Sequence, residues 1–224
     1  MTVSAIIPVF NEEDCLSGSL AALRALDPLE IIVVDGGSSD ATCQAAASAT
    51  RVLHGPRGRA AQLNLGASHA RGDVLLFLHA DCWLQAGALK EVETQLACPD
   101  VIAGCFSMCV PESGPWFRCI ETCANVRVRL TGLAYGDQGL FLRRGDFERL
   151  GGFPPVQLLE DVLFSRVLRR HGRIVVARQC IHVSPRRWRK HGVVRQSVRN
   201  WALLTLAAIG VPPDRLAALY PPVR

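Results

Sequence analysis

Over its first third the chain alternates short apolar runs with longer stretches of helical periodicity. Residues 3–10 are an apolar run of strand length. Asn11 follows as the expected cap of a helix whose first turn carries Glu12, Glu13 and Asp14. Leu16, Leu20, Ala21 and Leu23 recur at helical spacing, and Asp27-Pro28 ends that helix. Residues 30–34 read as a second strand, closing on Asp35-Gly36-Gly37-Ser38-Ser39-Asp40 and a helix through Ala49. A strand at 51–54, the turn Gly55-Pro56-Arg57-Gly58 and a helix to Ala70 come next. The run 74–78 within 73–78 is short and unbroken, as in a parallel strand covered on both faces. Repeated strand–helix units predict an α/β fold, a mostly parallel central sheet with helices on both faces.

The second half is less regular. Strands are predicted at 101–110, 139–143 and 173–181, and helices at 116–130, 160–171 and 188–209, the last interrupted near Gly192. A helical turn falls at 146–150, and Gly172 stops the helix before it. There is no internal repeat, low-complexity segment or clean linker, so residues 1–224 are expected to form one domain.

Composition fits a globular core: 49% of the 224 residues are hydrophobic and 20% charged, which excludes a disordered chain. Strand-like sequence begins almost directly after Met1, so no signal peptide is expected, and 201–211 is too short to span a bilayer. Nine cysteines, an odd number, then predict reduced thiols and a cytoplasmic location. Cys105/Cys109 and Cys119/Cys123 lack zinc-ribbon spacing and read as small buried hydrophobes.

The net charge of +5 hides an asymmetry. Residues 162–213 hold eleven lysines or arginines and no acidic residue. Such a segment favours anionic partners. In 186–224 the basic residues Arg186, Arg187, Arg189, Lys190, Arg195 and Arg199 precede Trp201, Leu203, Leu204, Leu206 and Ile209. That order fits peripheral contact with the inner face of a membrane, and equally a helix that docks on its own domain or builds a homodimer.

Candidate chemistry gathers at strand ends, where open α/β sheets bind ligands. His79-Ala80-Asp81 ends the strand at 73–78 and offers a carboxylate and an imidazole to a divalent ion on phosphate; an Asp there also serves as a turn cap. Asp35 precedes a glycine pair and a helix, suiting a nucleoside ligand or an Asx turn. Arg57 and Arg59 flank Gly58, as a diphosphate clasp or a solvated pair. Glu160-Asp161 open a helix, where acids are favourable whatever their function, yet the loop before them can aim Asp161 at the same sheet edge as a general base. No dinucleotide fingerprint and no Walker-type phosphate loop occurs.

Seven motifs in order resemble the family 2 glycosyltransferases, which have the A-type nucleotide-sugar transferase fold. They are Ile6-Ile7-Pro8-Val9-Phe10-Asn11-Glu12, then Val33-Val34-Asp35 through Asp40, Gly58-Arg59-Ala60 through Asn64 and Gly66, Gly72-Asp73 through Asp81, Gly136-Asp137-Gln138-Gly139, Gly151-Gly152-Phe153, and Glu160-Asp161. The likeness runs from about residue 3 to residue 190. Within the family the chain is most similar to the small bacterial branch labelled arsenosugar-biosynthesis glycosyltransferases. The resemblance implies a nucleotide-sugar half at 1–100, an acceptor half at 101–185, and the basic, then apolar, helical segment at 186–224. It implies that Pro8, Phe10, Glu12, Asp35 and Arg59 bind the donor, which is UDP-linked in the family's commonest form. It implies that Asp81 holds Mn²⁺ or Mg²⁺, with His79 either a further ligand by its own chemistry or a residue that packs or bonds to ribose, and that Asp161 is the catalytic base with Asp137, Gln138 and Glu160 on the acceptor side. The reaction implied is inverting transfer to a small-molecule or lipid-linked acceptor, with no nucleic-acid partner.

Two departures stand out. The family's Asp-x-Asp is His79-Ala80-Asp81 here. The processive members' Gln-x-x-Arg-Trp has become Ser184-Pro185-Arg186-Arg187-Trp188, which reads as a non-processive enzyme. His182 is a further metal-ligand candidate or a structural residue. The rival readings are a sugar nucleotidyltransferase and a non-enzymatic basic module that binds membrane or nucleic acid.

Overall fold

The structure, a computed structural model, describes residues 1–208 and 210–218. The expectation for Ile209 therefore lies outside the described residues. The chain runs β1 (Val3–Val9), α1 (Glu13–Arg24), β2 (Glu30–Asp35), α2 (Thr42–Ala45), β3 (Arg51–His54), α3 (Arg59–Ser68) and β4 (Val74–Phe77). It continues through β5 (Cys82–Leu84), α4 (Ala88–Leu96), β6 (Val101–Cys109), α5 (Pro115–Thr131), β7 (Leu140–Arg143), α6 (Arg144–Arg149) and α7 (Glu160–Leu168). Last come β8 (Arg173–Val183), α8 (Arg186–His191), α9 (Val193–Ala208) and α10 (Pro213–Ala218).

The strands form one eight-stranded sheet in the order β3-β2-β1-β4-β7-β6-β8-β5. Its first half, β3 to β4, is parallel, as the apolar runs imply. The second half is mixed: β7 runs antiparallel to β4 and β6, β8 lies parallel to β6, and β5 is antiparallel to β8. Alternate residues of each strand serve two cores. Ala5, Ile7 and Val9 pack with Leu16, Leu20 and Leu23 of α1 and with Val92 and Leu96 of α4. Ile6 faces the other way, toward Leu63 of α3 and the cluster around Phe147, Phe153 and Phe164. Burial on both faces explains why these strands read as unbroken apolar runs.

Several local expectations change. Asn11 does not cap α1. It adopts a left-handed backbone (φ 52), and its Oδ1 accepts from Ser39 N at 2.9 Å, tying the β1 exit to the loop after β2. The helix expected through Ala49 is α2 followed by a 3-10 turn, Ala46–Ser48. β5 and α4 lie in sequence that periodicity left unassigned. Three residues carry no period, and β5 exists because Cys82, Trp83 and Leu84 pair with β8. Cys109 of β6 and Cys180 of β8 face each other with Cα atoms 5.9 Å apart. The β6–β8 pairing sets them at a separation that a disulfide spans.

Glycines in the motifs have steric reasons. A Cβ on Gly66 of α3 would lie 2.4 Å from Ile6 Cγ2, so its absence lets the helix approach β1. A Cβ on Gly72 would meet the Ser4 backbone at 2.7 Å.

Candidate active site

The C-terminal ends of β1, β2 and β4 lie along one sheet edge, because all three strands run the same way. After β1 come Phe10 and Glu12, at the end of β2 stands Asp35, and beyond β4 lie His79 and Asp81. Gln62, buried in α3, fastens this edge by donating to the carbonyls of Val9 and Val34, each at 2.8 Å. Asn64 does the same for the loop of Gly151, Gly152 and Phe153: Nδ2 donates to Phe153 O at 2.8 Å, and Oδ1 accepts from Phe153 N at 3.0 Å.

At the β2 end the Asp35 carboxylate accepts from Gly37 N and from the backbone and hydroxyl of Ser38. Burial works to raise this carboxyl, and those donors outweigh it, so its pKa falls below the usual value. His54 Nδ1 approaches at 3.5 Å. Pro8 sits opposite Val34 on β1, and the Phe10 ring lies under the Arg57 guanidinium, 4.1 Å from its centroid. Arg57 therefore stacks on Phe10.

Around Asp81 the geometry depends on β8. Cys82 pairs with Val183, and Ser184 N donates to Asp81 O at 3.1 Å, which delivers the Arg186-Arg187-Trp188 stretch to the β4 exit. Arg186 Nε donates to Asp81 Oδ2 at 3.0 Å, Nη2 reaches Glu12 Oε2 at 2.6 Å, and Nη1 points at Cys15 Sγ at 3.6 Å. Burial opposes the charged form of Asp81, but Arg186 foremost among the neighbouring positive charges outweighs it and lowers the pKa. His79 is driven the other way from a usual histidine. Burial first, then the Arg59 charge, brings it down to about 3, so the imidazole is neutral. Its Nε2 is buried and makes no hydrogen bond. A ligand atom from each of His79, Asp81 and Cys82 lies within 4.8 Å of the others. A charged carboxylate beside a neutral imidazole with a bare nitrogen suits a divalent ion, so the donor set fits the metal expected from sequence. His182 is not part of it: its ring stacks on Trp83 at 5.4 Å. The Cys105/Cys109 and Cys119/Cys123 thiols form no metal-capable group among the described residues.

Asp161 opens α7 after Leu159, which takes a left-handed turn (φ 64). Its Oδ2 accepts a short hydrogen bond from Gly136 N, and Oδ1 accepts from Val162 N at 2.7 Å. Glu160 faces elsewhere, with Oε1 3.2 Å from Arg59 Nη1. Burial raises its pKa, and Arg59 offsets part of the shift. Asp137 lies in the 3-10 turn Gly136–Gln138. It is raised by burial, with Arg127 counteracting and Asp161 adding to the rise. Gln138 is fully buried and accepts from Arg127 Nη2 at 2.8 Å, while the Arg127 guanidinium covers the Tyr135 ring at 3.3 Å.

One cleft of about 880 Å³ joins these groups: His79, Asp81, Asp137, Asp161, Arg59 and Arg187 all line it. Thus the structure brings Asp81, His79 and Asp161 to one space, with Glu12 tied in through Arg186. Gln138 and Glu160 lie behind its surface, and Pro8, Phe10 and Asp35 lie along the same sheet edge. Arg127 and the Arg186 bridge went unnoticed in the sequence. The Arg-Arg-Trp remnant was the signal for Arg186, but nothing local names Asp81 as its partner.

Residues 4–151 match the model of the Glycosyl transferase family 2. Among curated relatives, glycosyltransferase AglE of Haloferax volcanii is 26% identical over 68% of this chain and 56% of its own. The undecaprenyl-phosphate 4-deoxy-4-formamido-L-arabinose transferase of Sodalis glossinidius is 32% identical over 63% of this chain and 48% of its own. The chain thus spans about half the length of these relatives. Solved structures share the fold. TarS of S. aureus superposes with a TM-score of 0.66 at 21% identity, covering 83% of this chain and 61% of TarS. The mannosyltransferase PcManGT of Pyrobaculum calidifontis, in complex with GDP-Man and Mn²⁺, gives 0.65 at 21% identity, over 97% of this chain and 77% of that one. With a family model matched across more than half its length, the chain belongs to glycosyl transferase family 2.

Proposed function

We propose that the protein is a metal-dependent, inverting, non-processive glycosyltransferase, moving a sugar from a nucleotide sugar to an acceptor hydroxyl. The observation that carries this reading is the cleft that Asp81 and His79 share with Asp161. Nucleotide-sugar complexes among its structural neighbours support it: PcManGT is bound to GDP-Man and Mn²⁺, and TarS to UDP-GlcNAc. A UDP-linked donor is our first choice.

Pro8, Phe10, Glu12 and Asp35 line the nucleotide end, with Arg59 close to the diphosphate. Asp81 and His79 would hold Mn²⁺ or Mg²⁺, which when bound neutralises the diphosphate and stabilises its departure. Arg186 and Arg187 add positive charge beside Asp81. Asp161 accepts the proton of the acceptor hydroxyl as its oxygen bonds to the anomeric carbon. The carbon–diphosphate bond breaks on the opposite face, which inverts the centre. The Gly136 N–H holds the carboxylate in one orientation. Asp137 and Gln138, with Glu160 behind Asp161, shape the acceptor side.

The acceptor in this reading is a small molecule or is lipid-linked. No described helix is long and apolar enough to cross a membrane. Contact with the inner face of a membrane, or a homodimer, would use 186–224.

The test is a thermal-shift screen of UDP- and GDP-sugars with Mn²⁺, followed by assay of nucleoside diphosphate release. A specific stabiliser that is consumed with release of its nucleoside diphosphate supports the reading. Pyrophosphate release from a nucleoside triphosphate and a sugar phosphate would overturn it in favour of a nucleotidyltransferase.

A further inference from the structure

The cleft extends beyond the carboxylates between α5 and α9. Trp116 and Ile120 of α5 line it with Val194, Val198 and Trp201 of α9. Among the described residues, eight large hydrophobic side chains are exposed, and four of them are here: Trp116, Val194, Val198 and Trp201, each 56–62% exposed. Half of these exposed apolar side chains therefore converge on the space that holds the proposed catalytic base. Scattered single hydrophobics are ordinary, but a contiguous set beside a polar site marks a binding groove. Arg127 and Arg187 line the same cleft, and Ser197 Oγ is buried on its α9 wall without a hydrogen-bond partner. From Arg186 to the end of α9 the chain carries six basic residues and no acidic one.

We propose that this groove binds the single apolar chain of a phosphate-linked amphiphile, whose head presents the acceptor hydroxyl to Asp161. The inference rests on the glycosyltransferase reading and assigns its acceptor class. A freely soluble sugar would leave two tryptophans and two valines facing water. A hydrocarbon chain covers them, and each buried methylene favours binding. The phosphate link matches the arginines at the junction between carboxylates and apolar wall. The basic flank of α8 and α9 suits the anionic surface in which such an acceptor resides.

Dodecyl phosphate and methyl phosphate, each titrated as monomers and followed by tryptophan fluorescence, test the groove. Saturable binding of dodecyl phosphate, at least about tenfold tighter than methyl phosphate, is the expected result. Val198→Glu on α9 and Trp116→Ser on α5 should each abolish that preference. Leu130→Glu, at an exposed apolar position that does not line the cleft, should keep it. Uridine and guanosine diphosphate with Mn²⁺, each followed by thermal shift in each protein, separate the two ideas. Nucleotide binding without chain-length preference, or a preference that survives both groove substitutions, overturns the apolar subsite alone. Chain-length preference that both groove substitutions remove, without nucleotide binding, supports the subsite and sinks the glycosyltransferase reading.

Discussion

Arg186 Nε lies 3.0 Å from the Asp81 carboxylate, although 105 residues separate them. The same guanidinium holds Glu12. Two carboxylates, one at the β1 exit and one at the β4 exit, are thus bridged by one guanidinium that follows β8. Arg186→Ala leaves both acids buried without that cation. The cost of breaking such a pair is reduced here because the guanidinium is 31% exposed. A loss of about 1–3 kcal/mol is expected, read as a lower urea midpoint. Mn²⁺ should restore more stability to this variant than it adds to the native protein. Identical urea midpoints for the two proteins would remove the bridge from the stability account.

Asp81→Ala should weaken nucleotide-sugar binding in Mn²⁺ by at least about tenfold while the protein stays folded. Calorimetry with and without chelator reads this directly. The native protein should lose affinity on chelation and the variant should not. Equal affinity in both proteins under both conditions refutes a metal site at Asp81.

Asp161→Asn preserves shape and keeps an acceptor oxygen for one of the two backbone donors, Gly136 N–H or Val162 N–H, but removes basicity. Transfer should fall by about 10²–10⁴-fold with donor affinity unchanged. Near-normal turnover would take Asp161 out of this role. A comparable loss in Glu160→Gln, with Asp161→Asn active, would move the base one residue back.

Burial raises the Asp137 carboxyl above its usual value, with Arg127 opposing. Between the unfolded and folded pKa the native protein keeps a proton that the unfolded chain has released. The associated stability is complete below the unfolded pKa and is lost as pH rises through the folded one. Asp137→Asn cannot lose it. The variant's urea midpoint relative to native should therefore rise from pH 4 to pH 7. A pH-independent difference contradicts this.

Gln62→Leu removes the two hydrogen bonds that Nε2 donates to Val9 O and Val34 O at the site. Val9 O keeps a second donor, Gly36 N at 3.0 Å. A destabilisation of about 1–3 kcal/mol is expected in urea titration, with weaker donor binding from a loosened edge.

Much of the first half was legible along the chain. β1 to β4 and their intervening helices follow from apolar runs and helical spacing, because a strand buried on both faces must be apolar throughout. The motif residues Asp35, Asp81 and Asp161 could be placed at strand ends or helix starts from the same pattern. The glycines of the motifs were visible too, though only the structure gives Gly66 its reason, the 2.4 Å that a Cβ would leave to Ile6. Periodicity could not supply β5, three residues long and defined by its pairing with β8, nor the antiparallel turn of β7 into the sheet. Asn11 looked like a cap because cap preference is local, whereas its partner, Ser39, comes from the next loop. The meeting of Arg186 with Asp81, and of Trp116 with Trp201 across one cleft, likewise belongs to the tertiary structure. Sequence sets what each short segment prefers; which distant segments share a space depends on how the whole sheet pairs and packs.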